Sequence, residues 1–311
     1  MTKVIDILPN YRVSLFGLAG TTPGAAAPPP VEFPPRGNRP GLRTHRYCGR
    51  ENMNLAGLSV LTLGAGALVL GGRGDAGTPA PNAAARAPVL VELFTSEGCS
   101  SCPPADEVLT ELARSQPVEG VLLIPLSEHV DYWNHLGWAD PYSSKLFSER
   151  QEAYAAAIRS SGLYTPQVVV DGRVELVGSD RRAVQKAIAS AAREPKLEVA
   201  VSRGRTPSSL RIRVEPSTAF PEAAGAEVLL AIVEDDLQSQ VSRGENSGRR
   251  LSHSAVVRRL QVVGTLPRGK AFEKEVLVAL ESAWKPGNLS AVAFVEEGSG
   301  GRILGVARGA L

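Results

Sequence analysis

The chain has 311 residues, which suits about two domains at roughly 150 residues each and is long enough to bury a core. Thirty-four Lys and Arg stand against 32 Asp and Glu for a formal charge of +2, so no electrostatic field argues for a nucleic-acid partner. Cys48, Cys99 and Cys102 are too few for a disulfide framework, but two of them stand as Cys-x-x-Cys, which raises redox chemistry or metal binding.

Residues 1–52 carry Pro28-Pro29-Pro30, Pro34-Pro35 and Ala25-Ala26-Ala27 with no periodic apolar face. Such a stretch buries too little surface to offset its chain entropy and reads as a disordered leader. Residues 53–72 contain no charged side chain, and their length fits a signal-peptide core or a short membrane anchor. A buried core helix is the bland alternative, opposed by the glycines and the lack of an amphipathic pattern. Arg43, Arg46 and Arg50 precede the segment, so the basic-inside bias sends the following chain across a membrane. The folded part is therefore expected to be extracytoplasmic, periplasmic or secreted, touching the membrane only through residues 53–72. Met53 offers a second possible start, Gly74-Asp75-Ala76 a possible cleavage site, and residues 73–87 a linker. Cys48 reads as an incidental thiol.

Residues 88–195 are expected to form the first domain. Val89, Leu90, Val91, Leu93 and Phe94 make a nearly continuous apolar strand, as in a sheet covered on both faces. The Cys pair follows at once, and Pro103-Pro104 after it fits a helix's first turn, where a missing N–H costs nothing. Val108, Leu109 and Leu112 supply that helix's apolar stripe. A thiol at this junction meets unpaired N–H groups and the positive end of the helix dipole, which favour the nucleophilic thiolate. A second strand is expected at residues 121–126 and a helix at 144–161. Strands flank Asp171-Gly172, and a last helix spans 181–192, capped by Ser179 or Asp180. The order β-α-β-α-β-β-α is that of thioredoxin.

The stretch Leu93-Phe94-Thr95-Ser96-Glu97-Gly98-Cys99-Ser100-Ser101-Cys102-Pro103-Pro104-Ala105-Asp106, with His129-Val130-Asp131-Tyr132-Trp133 and Leu136-Gly137-Trp138-Ala139-Asp140-Pro141, resembles the secreted bacterial family filed as domain of unknown function 1223. Arg243-Gly244-Glu245-Asn246-Ser247-Gly248-Arg249-Arg250-Leu251 with Val256-Val257-Arg258 resembles the family's later signature. The resemblance implies a thioredoxin-like fold without a settled activity. Carried over from thioredoxins, it makes Cys99 the exposed attacking thiol and Cys102 the buried resolving one. It sets Thr165-Pro166 where thioredoxins hold a substrate-binding cis-proline, and it likens Glu92 to the buried acid that assists the resolving thiol. Gly98 stands where thioredoxin has tryptophan, and Ser100-Ser101 replaces Gly-Pro, so the potential does not carry over.

Three functions follow. The first is thiol–disulfide exchange with protein thiols or disulfides and a redox partner, needing no organic cofactor. A copper(I) site built from Cys99, Cys102 and His129 is the second. A secreted binding protein with a structural disulfide is the third. Residues 127–138, with His129, His135, Trp133 and Trp138, read either as a substrate-facing loop, His129 lying near the thiols, or as an ordered loop packed over the sheet end.

Beyond Pro195 the apolar period becomes two. Leu197, Val199 and Val201, then Leu210, Ile212 and Val214, alternate with polar residues, and further strands are expected at 227–234, 254–263, 272–280, 291–295 and 303–307. Residues 196–311 are therefore expected to form an all-β, sandwich-like second domain after the α/β first domain. The Gly-rich stretch 240–250 reads as a solvated hairpin loop, with contact to the first domain or to a partner the alternative, and His253 as a structural side chain.

Overall fold

The computed structural model describes residues 86–311 apart from 161 and 207. The leader, the apolar segment and the linker up to residue 85 lie outside the described residues, and Ala87, expected in the linker, opens the first strand. In chain order the elements are β1 (Ala87–Thr95), α1 (Pro103–Ser115), β2 (Val121–His129), α2 (Lys145–Ile158), β3 (Gln167–Val170), β4 (Val174–Val177) and α3 (Arg181–Ala191). Then come β5 (Val199–Arg203), β6 (Ser209–Val214), β7 (Glu227–Glu234), β8 (Leu237–Gln240), β9 (Arg250–His253), β10 (Val256–Thr265), β11 (Phe272–Leu277), β12 (Leu289–Glu296) and β13 (Ile303–Ala310).

Local chemistry sets several boundaries. α1 opens on Pro103 and Pro104, Ser144 caps α2 by accepting from Leu146 N at 3.2 Å, and Asp180 caps α3 by accepting from Ala183 N at 3.0 Å. Asp171 and Gly172 both have positive φ, 48° and 65°, as the tight turn between β3 and β4 requires. A Cβ on Gly172 would lie 2.0 Å from Gly301 O, so only glycine fits there.

Eight strands form one mixed sheet in the order β13-β12-β7-β10-β2-β1-β3-β4. β1 runs parallel to β2 and antiparallel to β3. Val89, Val91 and Leu93 face α1 and α3, where Leu109, Leu112, Val184 and Ile188 close over them. Leu90, Ile124 and Leu126 alternate onto the opposite face beneath Phe147 of α2, and that face continues through Leu229, Ala231 and Val233 of β7 to Phe294 of β12. Because both faces are covered, β1 and β7 are nearly continuous in apolar residues. A second sheet, β11-β6-β5, lays Leu210, Ile212 and Val214 on Val228, Leu230, Ile232 and Ala293.

The sequence pattern breaks at residues 195 and 196, but the sheet does not. β10 adds parallel to β2, with Val256 in register with Ser127 and Ser127 N donating to Ala255 O at 2.7 Å. The break therefore separates a helix-rich stretch from a strand-rich one without dividing the large sheet.

A buried ion cluster lies across the same join. Arg150 of α2 donates from Nε to Glu92 Oε1 at 2.8 Å and from Nη1 to Glu296 Oε1 at 3.1 Å, and Tyr154 donates to Glu92 Oε2 at 2.5 Å. Glu128 stands 3.6 Å from Arg150, fully buried, and its oxygens make no hydrogen bond among the described residues. One guanidinium thus faces three carboxyls. Burial, with Glu92 adding to it, holds the Glu128 carboxyl well above the usual range, and burial pushes Glu296 up to about 7.

Candidate functional site

The chain leaves β1 at Thr95, turns through residues 96–101 and enters α1 after Cys102, which occupies the N-cap position. Cys99 N donates to Ser96 O and Cys102 N to Cys99 O, each at 3.2 Å, and these turns bring the two cysteines together. They form a disulfide with Cα atoms 5.4 Å apart. The Thr165–Pro166 peptide is cis. Thr165 Oγ1 donates to Cys99 Sγ at 3.2 Å and accepts from Trp133 Nε1 at 2.9 Å, while Thr165 O lies 3.9 Å from Cys99 Sγ. The pair and Thr165-Pro166 are thus neighbours, as the resemblance implies.

Cys99 corrects one expectation. It is 0% exposed, as is Cys102, so in this state neither sulfur faces solvent. A third segment, residues 241–249, which join β8 to β9, meets the backbone of the same turn. Asn246 Nδ2 donates to Glu97 O and to Cys99 O, both at 2.9 Å, and Ser100 N donates to Glu245 Oε2 at 2.9 Å. That stretch is the largely exposed hairpin loop expected from its composition, and through the buried Asn246 and through Glu245 it also makes the alternative contact, on the Cys-x-x-Cys turn. On the other side Trp133 crowds Gly98, where an added Cβ would meet Trp133 Cβ at 3.1 Å. A side chain at the position thioredoxin gives to tryptophan would require Trp133 to give way by a few tenths of an ångström.

Two further expectations change. Glu92 is not beside Cys102: in β1 it alternates with Val91 and Leu93, which face α1, and both its oxygens are held by Arg150 and Tyr154 on the α2 side. The copper(I) set of Cys99, Cys102 and His129 is not assembled. The two sulfurs are joined to each other, and among the described residues no three His, Cys, Asp or Glu side chains converge to hold a metal. His129 instead pairs through Nδ1 with Asp140 Oδ2 at 2.7 Å, fully buried. Trp138, half-buried, donates from Nε1 to Glu97 Oε2 at 2.8 Å.

Behind the turn lies a buried polar cluster that residue patterns did not single out. His253 Nε2 pairs with Glu97 Oε1 at 3.0 Å, its Nδ1 stands 3.9 Å from Asp106 Oδ2, and its ring meets that of His129 edge-on at 4.8 Å. Asp106, four residues beyond Cys102 on α1, is pushed up by burial to about 7, with His253 and Thr95 opposing the rise. Burial also raises Asp140, but His129 and the N–H groups of Glu97 and Tyr142 reverse this and hold it below its usual range. Two carboxylate–imidazole pairs, Asp140–His129 and Glu97–His253, thus stand together next to the disulfide turn. The available signal was position: Glu97, Asp106 and Asp140 fall inside the stretches that carry the family resemblance, and Glu245 and Asn246 inside its later signature.

A family profile described as a protein of unknown function (DUF1223) matches residues 90–296, and the chain belongs to that family. A crystallised protein from Agrobacterium tumefaciens is 28% identical over 71% of this chain and 93% of its own, with a TM-score of 0.59. HBP35 of Porphyromonas gingivalis is 13% identical over 73% of this chain and 76% of its own, with a TM-score of 0.51, a likeness of fold alone. No curated protein matches the chain.

Proposed function

We propose that the chain is a thiol–disulfide oxidoreductase that exchanges disulfides with protein substrates outside the cytoplasm through Cys99 and Cys102. The observation that carries this reading is a disulfide at the first turn of α1 with the Thr165 hydroxyl hydrogen-bonded to Cys99 Sγ. In support, the strand order β2-β1-β3-β4, with α1 and α3 on one face and α2 on the other, is the order expected of the thioredoxin-like unit that we read in residues 88–195. We read β5, β6 and β11 against β7, β12 and β13 as a sandwich-like unit fused to it. The extracytoplasmic part rests on residues 53–72; among the described residues no helix is long and apolar enough to cross a membrane.

In the exchange, one thiolate of a substrate dithiol attacks Cys99 Sγ, the Cys99–Cys102 bond breaks, and Cys102 leaves as a thiolate. The second substrate thiolate attacks the substrate sulfur of the mixed disulfide and releases Cys99. Two electrons pass to the protein pair, and the two protons shed by the substrate end on the two cysteines. Run in reverse, Cys99 attacks a substrate disulfide and Cys102 resolves the mixed disulfide. The positive end of α1 stabilises the thiolates formed at both stages.

The burial of both cysteines favours a second reading, a structural disulfide. Titrating the purified chain with dithiothreitol couples, and reading Cys99 and Cys102 by alkylation, separates the two. Exchange requires a midpoint within roughly −270 to −120 mV, the span of working thioredoxin-like couples. It also requires that Cys99→Ser abolish disulfide reductase activity. A pair that stays oxidised in strong reductant would establish the structural reading.

A further inference from the structure

We infer that residues 241–249 are a gate over the disulfide and that Asn246 is its latch, so that a thiol reaches Cys99 only when this loop has moved off. The inference rests on the exchange reading and concerns access to the same pair.

Thiol–disulfide exchange needs in-line approach of a thiolate to one sulfur, with the other sulfur leaving. Neither cysteine offers that approach here, since both are 0% exposed. Three hydrogen bonds connect the loop to the Cys turn: two from Asn246 Nδ2, to Glu97 O and Cys99 O, and one from Ser100 N to Glu245. Asn246 is wholly buried while Gly244, Glu245, Ser247 and Gly248 around it are exposed, so a single side chain plugs into the turn from a surface loop. Arg249 Nη1 donates to Asn246 Oδ1 at 2.9 Å and aligns the amide.

The base of the loop is built apart from the contact. Val241 N donates to Arg249 O at 3.0 Å and Gly248 N to Val241 O at 2.8 Å, closing the loop on the two-stranded β8–β9 ribbon, which is separate from both larger sheets. Gly244 and Gly248, at φ of 74° and 82°, bracket Glu245 and Asn246 with residues that adopt left-handed backbone without a Cβ clash. Losing the Asn246 and Glu245 bonds frees the tip while the ribbon stays paired.

The test is the rate at which dithiothreitol reduces the pair, followed by rapid alkylation, in the full chain and in Asn246→Ala and Glu245→Gln. The gate requires reduction about tenfold faster in Asn246→Ala and about threefold faster in Glu245→Gln, with midpoint potentials moved far less than the rates. Both rates within twofold of the parent would overturn it. Should Asn246→Ala lower the melting temperature, the exposed Glu245→Gln decides. Acceleration that grows with low urea marks global unfolding and counts against the gate. A parent with a working midpoint and unaccelerated variants keeps the exchange reading and removes the gate. A parent that resists reduction while Asn246→Ala yields keeps the gate and removes the exchange reading.

Discussion

Asp106 and Glu296 are two carboxyls that the fold keeps protonated well above their usual range, and that fixes how the protein responds to pH. Burial pushes Asp106 from 3.8 and Glu296 from 4.5 to about 7. An acid with a raised folded-state pKa binds its proton more tightly folded than unfolded. The stability it contributes is complete below about pH 4 and is lost as pH rises through about 7. Asp140, held below its usual range, works with the opposite sign and only in more acidic solution. Melting temperature followed by circular dichroism is therefore expected to fall between pH 4.5 and 7.5, with Asp106→Asn and Glu296→Gln each flattening the slope; a rise over that range would contradict the assignment. At this scale the resemblance to thioredoxins set the Cys pair and Thr165-Pro166 side by side, whereas the place of Trp133 against Gly98 and Thr165 was not read. It misplaced Glu92, since in a strand apolar on both faces alternation separates the two sides but does not say which one α1 covers. Asn246 and His253 were not legible as site residues because their partners, Cys99 and Glu97, lie in a remote part of the chain.

Single strands show where local pattern suffices and where it stops. β7 spans Glu227–Glu234, the range its apolar run predicts, and α3 starts at Arg181 as expected because Asp180 caps its N-terminus, ending one residue before the expected Ala192. β2 runs past residue 126 through Ser127 and Glu128 to His129, since pairing with Leu93, Phe94 and Thr95 of β1 holds these polar residues in extended form. β13 depends on two glycines. A Cβ on Gly305 would lie 2.5 Å from Leu197 O and 2.9 Å from Val199 Cγ2, and one on Gly309 2.7 Å from Val201 O. These absent side chains let the β5 segment lie directly across β13. Urea unfolding is expected to show Gly305→Ala destabilised by about 1–3 kcal/mol through overpacking. Gly287→Ala, with open space around it, is expected near neutral; equal costs at both sites would remove the close-approach argument.

Across the whole molecule, the later strands complete the earlier sheet. A chain stopped at residue 195 would leave β2 without β10, Arg150 without Glu296 and Leu126 without Ala231. The open strand edge and uncovered apolar face favour aggregation. Such a fragment is expected to be insoluble or to lack a cooperative melt, whereas the full chain loses far-UV circular dichroism and tryptophan fluorescence in one coincident transition. A soluble fragment with a sharp melt would show two independent folding units instead. Period-two alternation marked the strands of the second half, but it carries no information on which distant strand a given edge will meet, so this join was not legible. The Asn246 contact has a consequence for how such a sequence can drift over time. Its acceptors are the main-chain carbonyls of Glu97 and Cys99, which every amino acid possesses. The contact itself therefore asks nothing of the side chains at 97 and 99, whose identities answer instead to the disulfide and to the Glu97–His253 pair, while it ties the length and path of the 241–249 loop to the backbone of the turn.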